Sequence, residues 1–309
     1  MTTTQGIVVE NVGRSFGQVH AVRNASFVAE PGSVTALIGP NGSGKTTLML
    51  MLASLLRPDT GTIRIGGFDP LVETTAVRAS LGWMPDVLGS WSSLTVRTTL
   101  EITGRLYRFD KAVAAARADE LLSLVGLTPL ADQPTRVLSR GQKQRLSLAR
   151  ALVHDPSVLL LDEPASGLDP AARIDLRTLV RRLAGEGKTI LVSSHVLSEL
   201  DEMADRAVYI GDGITASEET MAATKRTLRS WRIKAADPVA LEGALIETGI
   251  RRSDIERDRT ELLVALEGEA AASALLTKLV TAGVAVSTFA PAVGDLEHSF
   301  LDLSKGSDR

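Results

Sequence analysis

The nine residues Gly39-Pro40-Asn41-Gly42-Ser43-Gly44-Lys45-Thr46-Thr47 constrain this chain more than any other stretch. They fit the spacing G-x-x-x-x-G-K-[ST]. The β-branched run Ser33–Ile38 before them reads as a strand, and Thr46–Leu56 after them reads as a helix. The glycines therefore form a strand-to-helix loop. Glycine lets successive backbone N–H groups turn inward around phosphate oxygens, and the helix start adds its positive end. In such a loop Lys45 brings a point charge to the β and γ phosphates. The Thr46 hydroxyl is a ligand for Mg²⁺, and Thr47 is placed to hydrogen-bond an α-phosphate.

A second element supports the first. Val158–Leu161 is a fully apolar run, as in a buried parallel strand, and it ends in Asp162-Glu163-Pro164. Two carboxylates then stand at the mouth of a strand. Asp162 is suited to hold Mg²⁺ through water, and Glu163 to accept a proton from an attacking water. Thr189–Ser193 reads as another buried strand. Gly6–Val12 and Ala25–Ala29 read as short strands before the loop. Strands alternating with helices imply an α/β fold with a parallel sheet. Residues Leu94 to Leu152 read almost entirely helical, with Pro134 as the breaker, and are taken as a subdomain inserted into that core.

Composition excludes several classes. There are 34 Lys+Arg against 37 Asp+Glu, giving a net charge of −3, so the chain has no basic field for nucleic acid. Aromatics at 4% leave little for base stacking, and the absence of cysteine excludes disulfides and zinc-thiolate sites. No run approaches the roughly 18 apolar residues needed to span a bilayer, and the N-terminus lacks a secretory pattern. A soluble, cytoplasmic chain is expected, and any membrane spans must come from another chain. At 309 residues, two domains are expected.

About twenty residues before Asp162 lies Leu138-Ser139-Arg140-Gly141-Gln142. With these motifs in this order, residues 1–215 resemble the nucleotide-binding subunits of ABC transporters. The pentapeptide is similar to their LSGGQ signature, with Arg140 at the third position. Ser166-Gly167-Leu168-Asp169 resembles the loop that follows their acidic strand, and His195 their switch histidine. Phe16 stands where an aromatic stacks on adenine. Asp86, in Gly82-Trp83-Met84-Pro85-Asp86, occupies the place of a glutamine that binds Mg²⁺ or water. Trp91 either meets a membrane partner's coupling helix or packs within the helical subdomain.

The resemblance implies a P-loop ATPase core with a RecA-like parallel sheet, an N-terminal antiparallel β subdomain and the inserted helical subdomain at about residues 92–152. It implies ATP and Mg²⁺ as ligands, with Gly39 to Thr47, Phe16 and Asp169 around the nucleotide. Thr46, Asp86 and Asp162 would hold the metal, and Lys45, Glu163 and His195 would act in catalysis. Ser139, Arg140, Gly141 and Gln142 would face the ATP of a second copy. The implied partners are a homodimer, or a heterodimer with a second ABC ATPase, and separate integral-membrane permease subunits, with no nucleic acid. Such a subunit is peripheral on the cytoplasmic face of the cell membrane. A switch acting on a membrane protein that transports nothing is the alternative.

Beyond an ATPase domain over 1–216 and a connector over 217–228, residues 229–309 read as a separate accessory or dimerisation domain. The order strand, helix, strand, strand, helix, strand is that of a small α+β ferredoxin-like domain. The ending Leu296-Glu297-His298-Ser299-Phe300-Leu301-Asp302-Leu303 resembles that of ATPases paired with type-2 exporter permeases, the group of drug-resistance ATPases.

Overall fold

The computed structural model describes residues 6–86, 89, 92–194, 200–217, 228–258 and 261–292. The chain divides into two compact units, Met1–Glu218 and Glu219–Arg309. Among the described residues no helix is long and apolar enough to cross a membrane.

The first unit is built on a nine-stranded sheet. Its strands are β1 (Ile7–Phe16), β2 (Val19–Ala29), β3 (Val34–Ile38), β4 (Thr60–Ile65), β5 (Leu81–Met84), β6 (Val158–Asp162), β7 (Thr189–Ser193), β8 (Arg206–Gly211) and β9 (Ile214–Ser217). They lie in the order β4-β1-β2-β9-β8-β3-β7-β6-β5. Strands β8, β3, β7, β6 and β5 run parallel, and every residue of β3, β6 and β7 is buried. Such strands need helices on both faces, which explains their unbroken apolar sequence. β1 pairs antiparallel with β2 and β4. β1 and β2 are longer than their sequence suggests. Bulges between Val9 and Arg14, with Asn11 at φ 50°, break the two-residue alternation that marks a strand.

Helices α1 (Lys45–Leu52) and α2 (Thr74–Ser80) belong to the core. α3 (Val96–Leu106), α4 (Lys111–Leu124) and α5 (Arg140–Ala151) form the helical region, and α6 (Pro170–Gly185) follows β6. The helical region has a second breaker that the sequence reading passed over. Pro129 sits in a 3₁₀ turn, Thr128–Leu130, and Pro134 precedes another, Thr135–Val137. Neither proline can supply the N–H that a continuing helix requires.

Among the described residues the second unit holds β10 (Leu228–Ala235), α7 (Pro238–Glu247), β11 (Ile255–Asp258), β12 (Glu261–Glu267), α8 (Gly268–Thr281) and β13 (Val286–Pro291). The order β11-β12-β10-β13, with every pair antiparallel, is that of a ferredoxin-like fold. Ile233, Leu241, Leu245, Leu262, Val264 and Leu279 fill its core. Asp237 starts α7, its carboxylate accepting from the N–H groups of Val239 and Ala240, with Pro238 in the first turn.

Candidate active site

Because β3, β6 and β7 are parallel, their C-terminal ends meet on one edge of the sheet. Leu37 and Asp162 both pair with Ser193, so the glycine loop after β3 and the two acids ending β6 are brought side by side. A cleft of about 310 Å³ opens there, lined by Asn41, Gly42, Gly44, Lys45, Thr46 and Thr47 on one side and Asp86, Asp162 and Glu163 on the other.

Gly44 begins α1 in the left-handed region, at φ 105°. A β-carbon there would stand 2.3 Å from the Ala21 carbonyl oxygen, so only glycine fits. No side chain caps α1 and no acid lies in its first turn. Its N-terminal N–H groups are open to an anion. Lys45 is buried, and its Nζ donates to the carbonyls of Gly39 and Pro40 at 2.7 and 3.0 Å. Burial pushes the Lys45 ammonium below its ordinary pKa, opposed by the charges of Glu163 and Asp162.

Asp162 is buried and accepts a 2.5 Å hydrogen bond from the Ser193 hydroxyl. Burial raises its pKa above the ordinary carboxylate value, and the charge of Asp86 adds to the rise. The Ser193 hydrogen bond, the Lys45 charge and the Asp86 backbone N–H oppose it. An ionised carboxylate held this way is short of positive charge. Among the described residues no cluster of three or more His, Cys, Asp or Glu could hold a metal alone. A Thr46 hydroxyl with Asp162 and an exposed Asp86 fits Mg²⁺ instead, which favours one or two carboxylates plus phosphate oxygens and water.

Glu163 has a left-handed backbone, φ 50°, uncommon for a residue with a β-carbon and costing on the order of 1–3 kcal/mol. Backbone hydrogen bonds hold it there, including one from its N–H to Ser193 Oγ at 3.3 Å. Its N–H donates to the Ser193 carbonyl at 3.1 Å, and its own carbonyl accepts from Gln144 Nε2 at 3.0 Å and from the Ser166 N–H at 3.1 Å.

The pentapeptide motif lies elsewhere. Ser139 is the N-cap of α5 in a full capping box. Its Oγ accepts from the Gln142 N–H at 3.2 Å, and Gln142 Oε1 accepts from the Ser139 N–H at 2.9 Å. Arg140 donates to Ser166 Oγ at 2.7 Å and lies across Gly167, where a β-carbon would come within 2.6 Å of its stem. Gly141 faces Leu168. Asp169 caps α6, accepting from the Ala172 N–H at 2.9 Å. None of Ser139, Arg140, Gly141, Gln142 or Asp169 lines the phosphate cleft.

Against this geometry, the ABC transporter sequence profile matches residues 22–166. The daunorubicin resistance ATP-binding protein of Streptomyces coeruleorubidus is 34% identical over 98% of this chain and 96% of its own length. The chain belongs to the ABC transporter ATP-binding family.

Other members diverge in direction. The Nod factor export ATP-binding protein I of Paraburkholderia xenovorans is 38% identical over 77% of this chain and 80% of its own. The sulfate/thiosulfate import ATP-binding protein of Thermosynechococcus vestitus is 40% identical over 67% of this chain and 62% of its own. Among solved ABC cassettes, a dimeric one in a post-hydrolysis state with ADP and Pi superposes with a TM-score of 0.63. It is 25% identical and covers 68% of this chain and 98% of its own.

Phe16 is 47% exposed, at the end of β1 beside Val19 of the cleft rim, with the Arg14 guanidinium 4.8 Å from its ring centroid. His195, Trp91 and the ending Leu296–Leu303 lie outside the described residues. Sequence reasoning passed over Ser193, Gln144 and His20. Ser193 and Gln144 hold the two acids, and His20 lines the cleft while its Nδ1 meets Ser15 Oγ at 2.8 Å. Gln144 stands two residues past the signature, a spacing that was available as a signal. Ser193 and His20 carry no local mark.

Proposed function

We propose that this chain is the ATP-hydrolysing energy subunit of a membrane exporter, working as a dimer that closes on ATP. One observation carries the reading. The phosphate loop and both acids share a cleft, whereas the signature helix lines none of it. A site so divided is completed by a second copy packed head to tail, which sets Ser139 of the partner subunit against the γ-phosphate. The open end of α1 and Lys45 take the β and γ phosphates. To do so, Lys45 exchanges its loop carbonyls for phosphate oxygens. Thr46, Asp162 and Asp86 would hold Mg²⁺, which when bound neutralises phosphate charge. Glu163, fixed by Ser193 and Gln144, accepts the proton of the attacking water. His195 would hold the γ-phosphate and orient that base. Phe16 offers one ring face to adenine. Loss of the γ-phosphate removes the contact with the partner's helix, and the dimer opens.

The resistance relative aligns over nearly the whole chain, including the ferredoxin-like unit, whereas the importer aligns over two thirds. That difference supports the exporter branch, with a separate permease holding the subunit on the cytoplasmic face. The domain over 229–309 then serves dimerisation or regulation. The test is Glu163→Gln. Hydrolysis falls by roughly 10²–10⁴-fold, ATP binding persists, and light scattering detects an ATP-dependent dimer. Parent-like turnover removes Glu163 as base, and a monomer at saturating ATP removes the shared site. Co-purification of a membrane chain, and its loss of export with Glu163→Gln, tests the rest.

A further inference from the structure

The signature helix grips the loop that carries Glu163 at two points. Arg140 and Gln144 stand one turn apart on α5 and share a face of it. Gln144 Nε2 donates to the Glu163 carbonyl at 3.0 Å, and Arg140 Nη2 donates to Ser166 Oγ at 2.7 Å. Between those points the chain makes a tight turn, closed by the Ser166 N–H donating to the Glu163 carbonyl at 3.1 Å. Two left-handed residues flank the turn, Glu163 at φ 50° and Gly167 at φ 75°. Glycine adopts that backbone freely, whereas Glu163 keeps it only while its surroundings hold it. The Arg140 stem covers Gly167 so closely that a β-carbon there would lie 2.6 Å from its Cδ. The bare backbone at 167 is what lets the arginine fold back onto the loop.

The resemblance of the pentapeptide implies that Arg140 faces the ATP of a second copy. Its guanidinium is instead engaged with Ser166 of its own chain. We propose that Arg140 is a positioning residue for Glu163 in the same chain, acting through Ser166, and not a contact to nucleotide held by a second copy. Losing the arginine frees the far end of the turn, and the strained backbone of Glu163 relaxes away from its working geometry. The hold on the turn stands whatever the site does. Its effect on turnover rests on the ATPase reading.

Amide hydrogen exchange of the full-length protein without nucleotide reads the hold. In Arg140→Ala the Ser166 N–H exchanges about threefold faster. Arg140→Lys, which keeps a donor for Ser166 Oγ, stays near the parent. Parent-like exchange in Arg140→Ala overturns the proposal. Mixed dimers read which base the arginine serves. The tested chain is mixed with a large excess of a Glu163→Gln chain, so each working base belongs to the tested chain and meets the signature of the excess chain. Single-turnover hydrolysis falls about threefold when the tested chain carries Arg140→Ala, and Arg140→Lys restores it. The loss follows Arg140 of the tested chain and not Arg140 of the excess chain. A loss that follows the excess chain, or no loss in either arrangement, overturns the proposal. A parent chain that shows the exchange difference but hydrolyses no ATP refutes the ATPase reading and leaves the hold on the turn standing.

Discussion

Two helices of the first unit begin in opposite ways. α1 starts at a left-handed glycine with no capping side chain, and α5 starts at Ser139 with a reciprocal capping box. Both ends carry a partial positive charge, and neither has an acid in its first turn. The α1 end is left without a side-chain cap and its loop is shaped by the chain's own packing, so on the proposed function one protomer suffices to hold phosphate. The α5 end satisfies itself. The Ser139 oxygen accepts from within the helix and leaves its hydroxyl proton free to donate outward. An end built that way is stable alone and becomes a ligand contact only when another molecule presents an anion to it.

The largest effect expected from breaking this contrast is at Gly44. Gly44→Ala forces a β-carbon against the Ala21 carbonyl at a φ that alanine resists. ATP affinity, measured with a fluorescent analogue, falls roughly a hundredfold, about 2.7 kcal/mol. Near-parent affinity would mean that the loop is not preformed. Ser139→Ala comes next. Losing the cap costs about 1 kcal/mol of stability, and losing a hydrogen bond to a charged phosphate slows hydrolysis at least about tenfold. Binding of ATP to one protomer stays within about twofold. A binding defect as large as that of Gly44→Ala would erase the distinction between the two helix ends.

Asp162→Asn sharpens the picture through pH. Burial raises the Asp162 pKa in the folded state, so its ionised form opposes folding at neutral pH. That penalty is relieved as pH falls through the raised value. The asparagine variant, still able to accept from Ser193, melts above the parent in Mg²⁺-free buffer at pH 7. The margin shrinks on acidification, as scanning calorimetry across pH would record. A constant margin would assign the effect to something other than ionisation. The smallest effect belongs to Arg140→Ala, which frees Ser166 and uncovers Gly167. It lowers stability by about 1 kcal/mol or less and leaves protomer ATP affinity unchanged, read by melting and by the same titration.

What could be read in advance follows the range of the interactions. The glycine loop is local, and its residue types are dictated by a tight turn around an anion. The acids after an apolar strand are local too, and so is the alternation of strands and helices that orders the ferredoxin-like unit. The left-handed backbone of Glu163 could not be read, because it is imposed by Ser193 thirty residues later and Gln144 nineteen residues earlier. The bulges of β1 hid its last residues, from Gly13 to Phe16, by breaking its period. The Arg140 contact with Ser166 joins two motifs that were each legible, but nothing along the chain announces that they touch.

The twist in the main chain at position 163 has a further consequence. On the proposed function, a glycine there would remove the conformational penalty together with the base, giving an inactive chain that outlasts the working one on heating. Any laboratory selection of this cassette for thermal endurance alone would therefore drift toward inactivity at that position, and should be run with turnover as a second screen.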